Sequence, residues 1–170
     1  MSEKPQYAIY TVGYRIGEGR KSRARTHEEM AALFSDAGLR SVDLADVRAR
    51  VSGPRIARGW DFATLRLRPF RDAPSPLSVY YQCYTSLGNA GRTQHWQRGR
   101  DAMSGLLSLA LDIARQSHEA GWGVVLLCAE QDPSRCHRSE VAESIAGIIR
   151  AAGVECEVRH LGGPEVHDAK

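Results

Sequence analysis

From Val124 to Arg138 the chain reads Val-Val-Leu-Leu-Cys-Ala-Glu-Gln-Asp-Pro-Ser-Arg-Cys-His-Arg. Few short stretches carry so much chemistry: the thiols of Cys128 and Cys136, the carboxylates of Glu130 and Asp132, one imidazole and two guanidinium groups. Cys136-His137-Arg138 stands where a helix should open, so backbone N–H groups and the helix dipole would favour an anion there. Phosphate or carboxylate binding by Arg138 is the natural reading; the alternative is that His137 and Arg138 pair with Glu130, Asp46 or Glu140. The same helix start, with a neighbouring His or Arg, would lower the pKa of Cys136 and make it the better thiolate candidate. Cys128 reads as a buried strand cysteine. It does not begin a Cys-x5-Arg phosphate cradle, because six residues separate it from Arg135 and Pro133 removes an N–H.

Two further constellations arise from the same residues. Glu130 and Asp46 would suit general acid–base work if the fold brings them together, with Glu130 or His137 moving the proton. Cys128, Cys136 and His137, with His160 as a fourth group, could bind zinc, although Cys-x7-Cys-His is not a knuckle spacing. Without that ion, no cofactor is expected.

These side chains need a scaffold, and the sequence supplies one. Val124–Leu127 is a short apolar run suited to a strand buried on both faces. After Asp132-Pro133 a helix is expected to open near Ser134–Arg138, and Val141, Ala142, Ile145, Ile148 and Ile149 follow at helical spacing. Upstream, Tyr7–Tyr14 predicts a first strand and Thr26-His-Glu-Glu29 a capping box. Met30, Leu33, Phe34 and Ala37 form one helical face, closed by Gly38. Ser41–Arg48 predicts the second strand. Strand, helix and strand in about forty residues make a βαβ unit, hence a parallel sheet. Val79–Tyr84, a helix near Asp101–Glu119 and a last strand over Cys156–Leu161 complete the pattern. The expected architecture is a single three-layer α/β domain with a mostly parallel central sheet, its core over about 7–161 and a polar tail over 162–170. If the strands are parallel, one rim gathers Gly13, Tyr14, Asp46, Arg48, Arg50, Cys128, Glu130 and His160, the place where open α/β sheets bind ligands. Arg15–Arg25 reads as a glycine-punctuated basic loop, mobile over Arg20–Arg25, and residues 49–78 as irregular apart from a short helix around Asp61–Leu67.

Composition sets outer limits. With 170 residues, 42% hydrophobic and 25% charged, the chain can bury one ordinary core. No membrane-length apolar run and no apolar signal core before Tyr7 are present, and four dispersed cysteines suit reduced thiols in a cytoplasm. The net charge is only +3. Seven arginines and one acid between Arg48 and Arg71 nevertheless concentrate positive charge there, beside Trp60, Tyr80, Tyr81, Tyr84 and Trp96. Arginines with aromatics suit phosphate contact and base stacking, and equally suit packing under a long loop.

Four blocks, Thr11-Val-Gly13, Asp46-Val-Arg48, Tyr84 through Leu87-Gly88, and Leu127 to Arg138, resemble the family known as domain of unknown function 488. The last block is the most specific. The resemblance implies a single α/β domain with its site at these blocks, and it assigns no reaction. Relative to that pattern, the chain carries a basic insertion after Tyr14-Arg15.

Three functions follow from the residues. The first is an enzyme acting on a small anionic, phosphate-bearing or nucleotide-like ligand, bound by Arg48, Arg138, Gly13, Tyr14, Arg50 and Cys128, with Glu130, His137, Cys136 and Asp46 as the chemical groups. The second is a non-catalytic nucleic-acid-binding module centred on Arg48–Arg71. The third is a thiol enzyme or sensor using Cys136.

Overall fold

The computed structural model describes residues 7–17, 19–49, 77–89, 95–116 and 121–163. Arg50, the arginine-rich segment beyond it, the helix expected at 61–67 and the tail beyond 163 lie outside these residues.

Five strands form one parallel sheet: β1 (Tyr7–Gly13), β4 (Ser41–Asp46), β5 (Ser78–Cys83), β6 (Trp122–Cys128) and β7 (Cys156–Leu161). Their spatial order is β5-β4-β6-β1-β7, so β6 is the central strand. Helices α1 (His27–Asp36), α2 (Ala102–Gln116) and α3 (Arg138–Ala151) complete the α/β domain. Among the described residues, no helix is long and apolar enough to cross a membrane.

The alternation of side chains along each strand sends them to opposite faces. Ile9, Ala45, Val124, Leu126 and Cys128 join Leu106, Leu109 and Ile113 of α2 and Val141, Ile145 and Ile149 of α3 in one buried cluster. Tyr10, Val12, Val42, Leu44, Val125 and Leu127 join Met30 and Phe34 of α1 in another. This is why β6 reads as an uninterrupted apolar run: Val124–Leu127 alternate between two cores and are all buried.

The first helix begins and ends as its residues dictate. Thr26 accepts from the Glu29 N–H at 3.1 Å, and the Glu29 carboxylate reaches back to the Thr26 N–H at 3.3 Å. Gly38 follows at φ +79°, a conformation with no steric cost for glycine.

Two expectations are corrected, at the second strand and after Gly13. The second strand ends at Asp46, not Arg48, although Val47 N–H still donates to the Leu127 carbonyl. After Cys128, a single 3-10 turn at Pro133–Arg135 precedes the helix, which starts at Arg138, within the expected span. The basic stretch after Gly13 is a small antiparallel hairpin of β2 (Arg15–Ile16) and β3 (Arg23–Ala24). Arg25 behind it is buried, donating from Nε to the Gly13 carbonyl at 2.8 Å and from Nη2 to the Gly162 carbonyl at 2.7 Å. Those bonds tie the ends of β1 and β7 together.

Loss of the capping hydroxyl in Thr26→Ala is expected to cost about 1 kcal/mol in urea unfolding. Hydrogen bonds from Arg23, aided by the cap, hold the Glu29 carboxyl down to about 2 from its usual 4.5. A carboxyl depressed by folding stabilises above its unfolded pKa and loses that effect as pH falls through the folded one. The stability gap between the native chain and Glu29→Gln should therefore close between pH 4.5 and about 2. A gap that persists at the acid end would contradict the role given to this carboxylate.

Candidate functional site: a thiol pair and an imidazole at the end of the central strand

The end of β6 places Cys128 on the sheet face covered by α2 and α3. Cys136 returns to it from the loop before α3. Cys136 is extended (φ −128°, ψ 136°) and His137 helical (φ −63°, ψ −11°). That change of backbone direction turns two adjacent side chains toward one point. The ligating atoms of Cys128, Cys136 and His137 all lie within 4.8 Å of one another, the one such group among the described residues that could hold a metal ion. Both thiols are free and buried, and His137 is half-buried.

One backbone carbonyl orients the imidazole. Val47 lies just past β4, and its carbonyl accepts from His137 Nε2–H at 2.8 Å. Nδ1 is thereby turned to the sulfurs, 3.9 Å from Cys128 Sγ. A hydrogen bond from the Cys128 thiol is the largest influence lowering the Cys136 pKa well below its ordinary value. His137, the Arg138 guanidinium and the Arg138 N–H act in the same direction, against burial. The Cys128 thiol is correspondingly raised, by its bond to Cys136 and by burial. Burial alone would lower the His137 pKa, but Cys136 and the backbone carbonyls raise it on balance. The arrangement favours a Cys136 thiolate beside an imidazolium, with Cys128 keeping its proton.

Arg138 has no exposed surface. Its Nη1 donates to the Glu130 carbonyl, its Nη2 to the Gln131 carbonyl at 2.9 Å and its Nε to Thr11 Oγ1 at 3.2 Å. Thr11 Oγ1, which accepts from Arg138, is also hydrogen-bonded to His160 Nδ1, 2.6 Å away. This geometry corrects the expectation that Arg138 meets a ligand at the rim: its fork holds the loop after β6 in place. Gly13 serves the same loop, since a Cβ there would overlap the Glu130 carbonyl.

The other expected residues fall on the far side of the sheet or outside it. Asp46 is fully buried and alternates toward the α1 face. Arg48 donates to both its oxygens, from Nε at 2.9 and 3.2 Å and from Nη2 at 2.7 Å, while Tyr81 adds its hydroxyl. Burial works against the Arg48 charge, but Asp46 outweighs it and the guanidinium pKa is raised. The Arg48 guanidinium also stacks 5.2 Å from the Tyr14 ring centre. Burial and the bond to Asp46 raise the Tyr81 phenol. The Glu130 side chain, by contrast, is exposed. Asp46 and Glu130 thus occupy opposite environments and do not form the expected carboxylate pair. His160 is exposed at its strand end, hydrogen-bonded to Thr11 but not in the core.

Comparison with family models, curated proteins and solved structures gives no match. Chemistry must therefore be read from the geometry, and the role of Arg138 can be tested directly. Arg138→Met keeps the bulk but strands the Glu130 and Gln131 carbonyls. It should lower unfolding free energy by about 3 kcal/mol or more, at 1.5–3 for each hydrogen bond from a charged group. Arg138→Lys should rescue little of this, since an ammonium cannot span the fork. Unfolding midpoints unchanged in both variants would remove Arg138 from this structural role.

Proposed function

We propose that the protein is a thiol-dependent enzyme in which Cys136 attacks an electrophilic centre on a small ligand. One observation carries the reading: two sulfurs and an imidazole nitrogen converge at the end of the central strand. Nucleophilic thiol catalysis requires a thiolate, a group that takes its proton and a structure that orients that group. Cys136, His137 Nδ1 and the Val47 carbonyl on Nε2 fit those roles. Cys128, its sulfur within 4.8 Å of the thiolate, would serve as a proton source when a leaving group departs.

The phosphate or nucleotide reading has less support from the geometry. Of its three named arginines, Arg138 is spent on the loop and Arg48 on Asp46, while Arg50 lies outside the described residues. The anion favoured at the start of α3 is the chain's own thiolate. Nucleic-acid binding through the arginines beyond Arg48 rests on residues outside those described. The resemblance to domain of unknown function 488 agrees with the site's location and adds no reaction.

Alkylation of the native full-length protein by iodoacetamide, followed residue by residue, tests the proposal. Cys136 should react at least about tenfold faster than an ordinary thiol near pH 6.5, where a thiol of normal pKa is almost wholly protonated. Its rate should stay nearly flat with pH where that of a small free thiol such as N-acetylcysteine climbs. His137→Ala should move the rise of the Cys136 profile to higher pH. Cys136 labelling no faster than the exposed Cys83 would overturn the nucleophile assignment.

A further inference from the structure

We propose that Cys128 and Cys136 form a resolving pair, so that oxidation of Cys136 by a hydroperoxide ends in a disulfide between them. The inference rests on the preceding reading in one respect: Cys136 carries the reactive sulfur. The rest comes from the placement of the second thiol. The Cys128 sulfur lies within 4.8 Å of the Cys136 sulfur and is held at the end of the central strand. Cys136 belongs to the connection between a 3-10 turn and α3, not to the sheet ladder. A disulfide needs the sulfurs at about 2.05 Å, so a group already drawn within 4.8 Å requires only a local shift.

The other two cysteines are placed elsewhere. Cys156 opens β7 opposite Tyr7, whereas Cys128 pairs with Gly13. In a parallel sheet six residues of β1 separate those levels by about 20 Å. Cys83 ends the edge strand β5, and its sulfur lies 3.1 Å from the Tyr81 hydroxyl. The bond from Tyr81 to Asp46 uses the phenol hydrogen, so the Cys83 thiol is the donor in that contact.

The chemistry balances with the peroxide as oxidant. Cys136 thiolate attacks the terminal oxygen of the hydroperoxide; an S–O bond forms, the O–O bond breaks, and the departing alkoxide or hydroxide takes a proton from His137. Cys128 then loses its proton and attacks the Cys136 sulfur. An S–S bond forms, the S–O bond breaks, and hydroxide leaves as water with that proton. In sum, two thiols and one hydroperoxide become one disulfide, one alcohol or water, and one water. The two electrons pass from the thiols to the peroxide.

Arg135 lies between the two cysteines, so trypsin separates them and makes the link visible. The reduced full-length protein is treated with one equivalent of hydrogen peroxide, quenched with N-ethylmaleimide and digested. The expected product is the 116–135 peptide joined to the 136–138 peptide and lost on adding dithiothreitol, with Cys83 and Cys156 still alkylated. Cys128→Ser should instead leave a Cys136 sulfenic acid that dimedone traps. If Cys136 alkylates rapidly but peroxide gives only sulfinic acid and no linked peptide in the native chain, the resolving pair is overturned and the nucleophile stands. Slow alkylation together with no peroxide consumption overturns both. A link through Cys83 or Cys156 would also refute the pairing.

Discussion

A guanidinium with no solvent contact sets the terms for the rest of this structure. Burying a charge is costly unless its donors are satisfied and its field is balanced. Neutral oxygens of Thr11, Glu130 and Gln131 satisfy the donors of Arg138, but they carry no full negative charge. Its field is felt at Cys136, where it favours the thiolate. The same side chain therefore closes the loop after β6 and makes the loop's returning cysteine easier to ionise. Structure and chemistry share one cation here, so neither can be changed alone.

The sheet itself divides the ionisable groups. On the α2 and α3 face, Cys128, Cys136 and His137 converge at the edge of a mostly apolar cluster. On the α1 face, Asp46, Arg48 and Tyr81 form a saturated network with Tyr14 stacked over it. The second group braces the end of β4. Val47 directly follows Asp46, and its carbonyl orients His137. The ion pair on one face thus supports the imidazole on the other through a single residue of backbone.

Much of this was legible in the amino acids, and the reasons differ by element. Thr26 and Glu29 announce a helix start because capping uses fixed side-chain chemistry at a fixed spacing. Val124–Leu127 announce a strand because burial on both faces leaves no polar alternation, and Cys156–Leu161 occupies the expected strand span. Adjacent side chains such as those of Cys136 and His137 diverge in either regular structure, so their spacing alone does not announce a common point. They converge because the backbone changes from extended to helical between them, which residue type alone does not reveal. Arg138 was read as an anion-binding residue and Arg25 as part of a mobile basic loop, since their partners are mostly backbone carbonyls, and a carbonyl has no sequence signature. The Val47 carbonyl was hidden for the same reason, as were the roles of Thr11 and Tyr81.

Strand order has a consequence for how the chain reaches this state. In sequence the sheet strands emerge as β1, β4, β5, β6 and β7, but in space β6 alone joins the β4–β5 pair to β1. Until residue 128 has been synthesised, the first strand and the next two have no common edge on which to assemble. Such distant pairings make closure late and slow, because loop entropy must be lost before the contacts repay it. The strand that carries Cys128 is the keystone of assembly. Until it docks, the two thiols lack the enclosure that gives them different proton affinities.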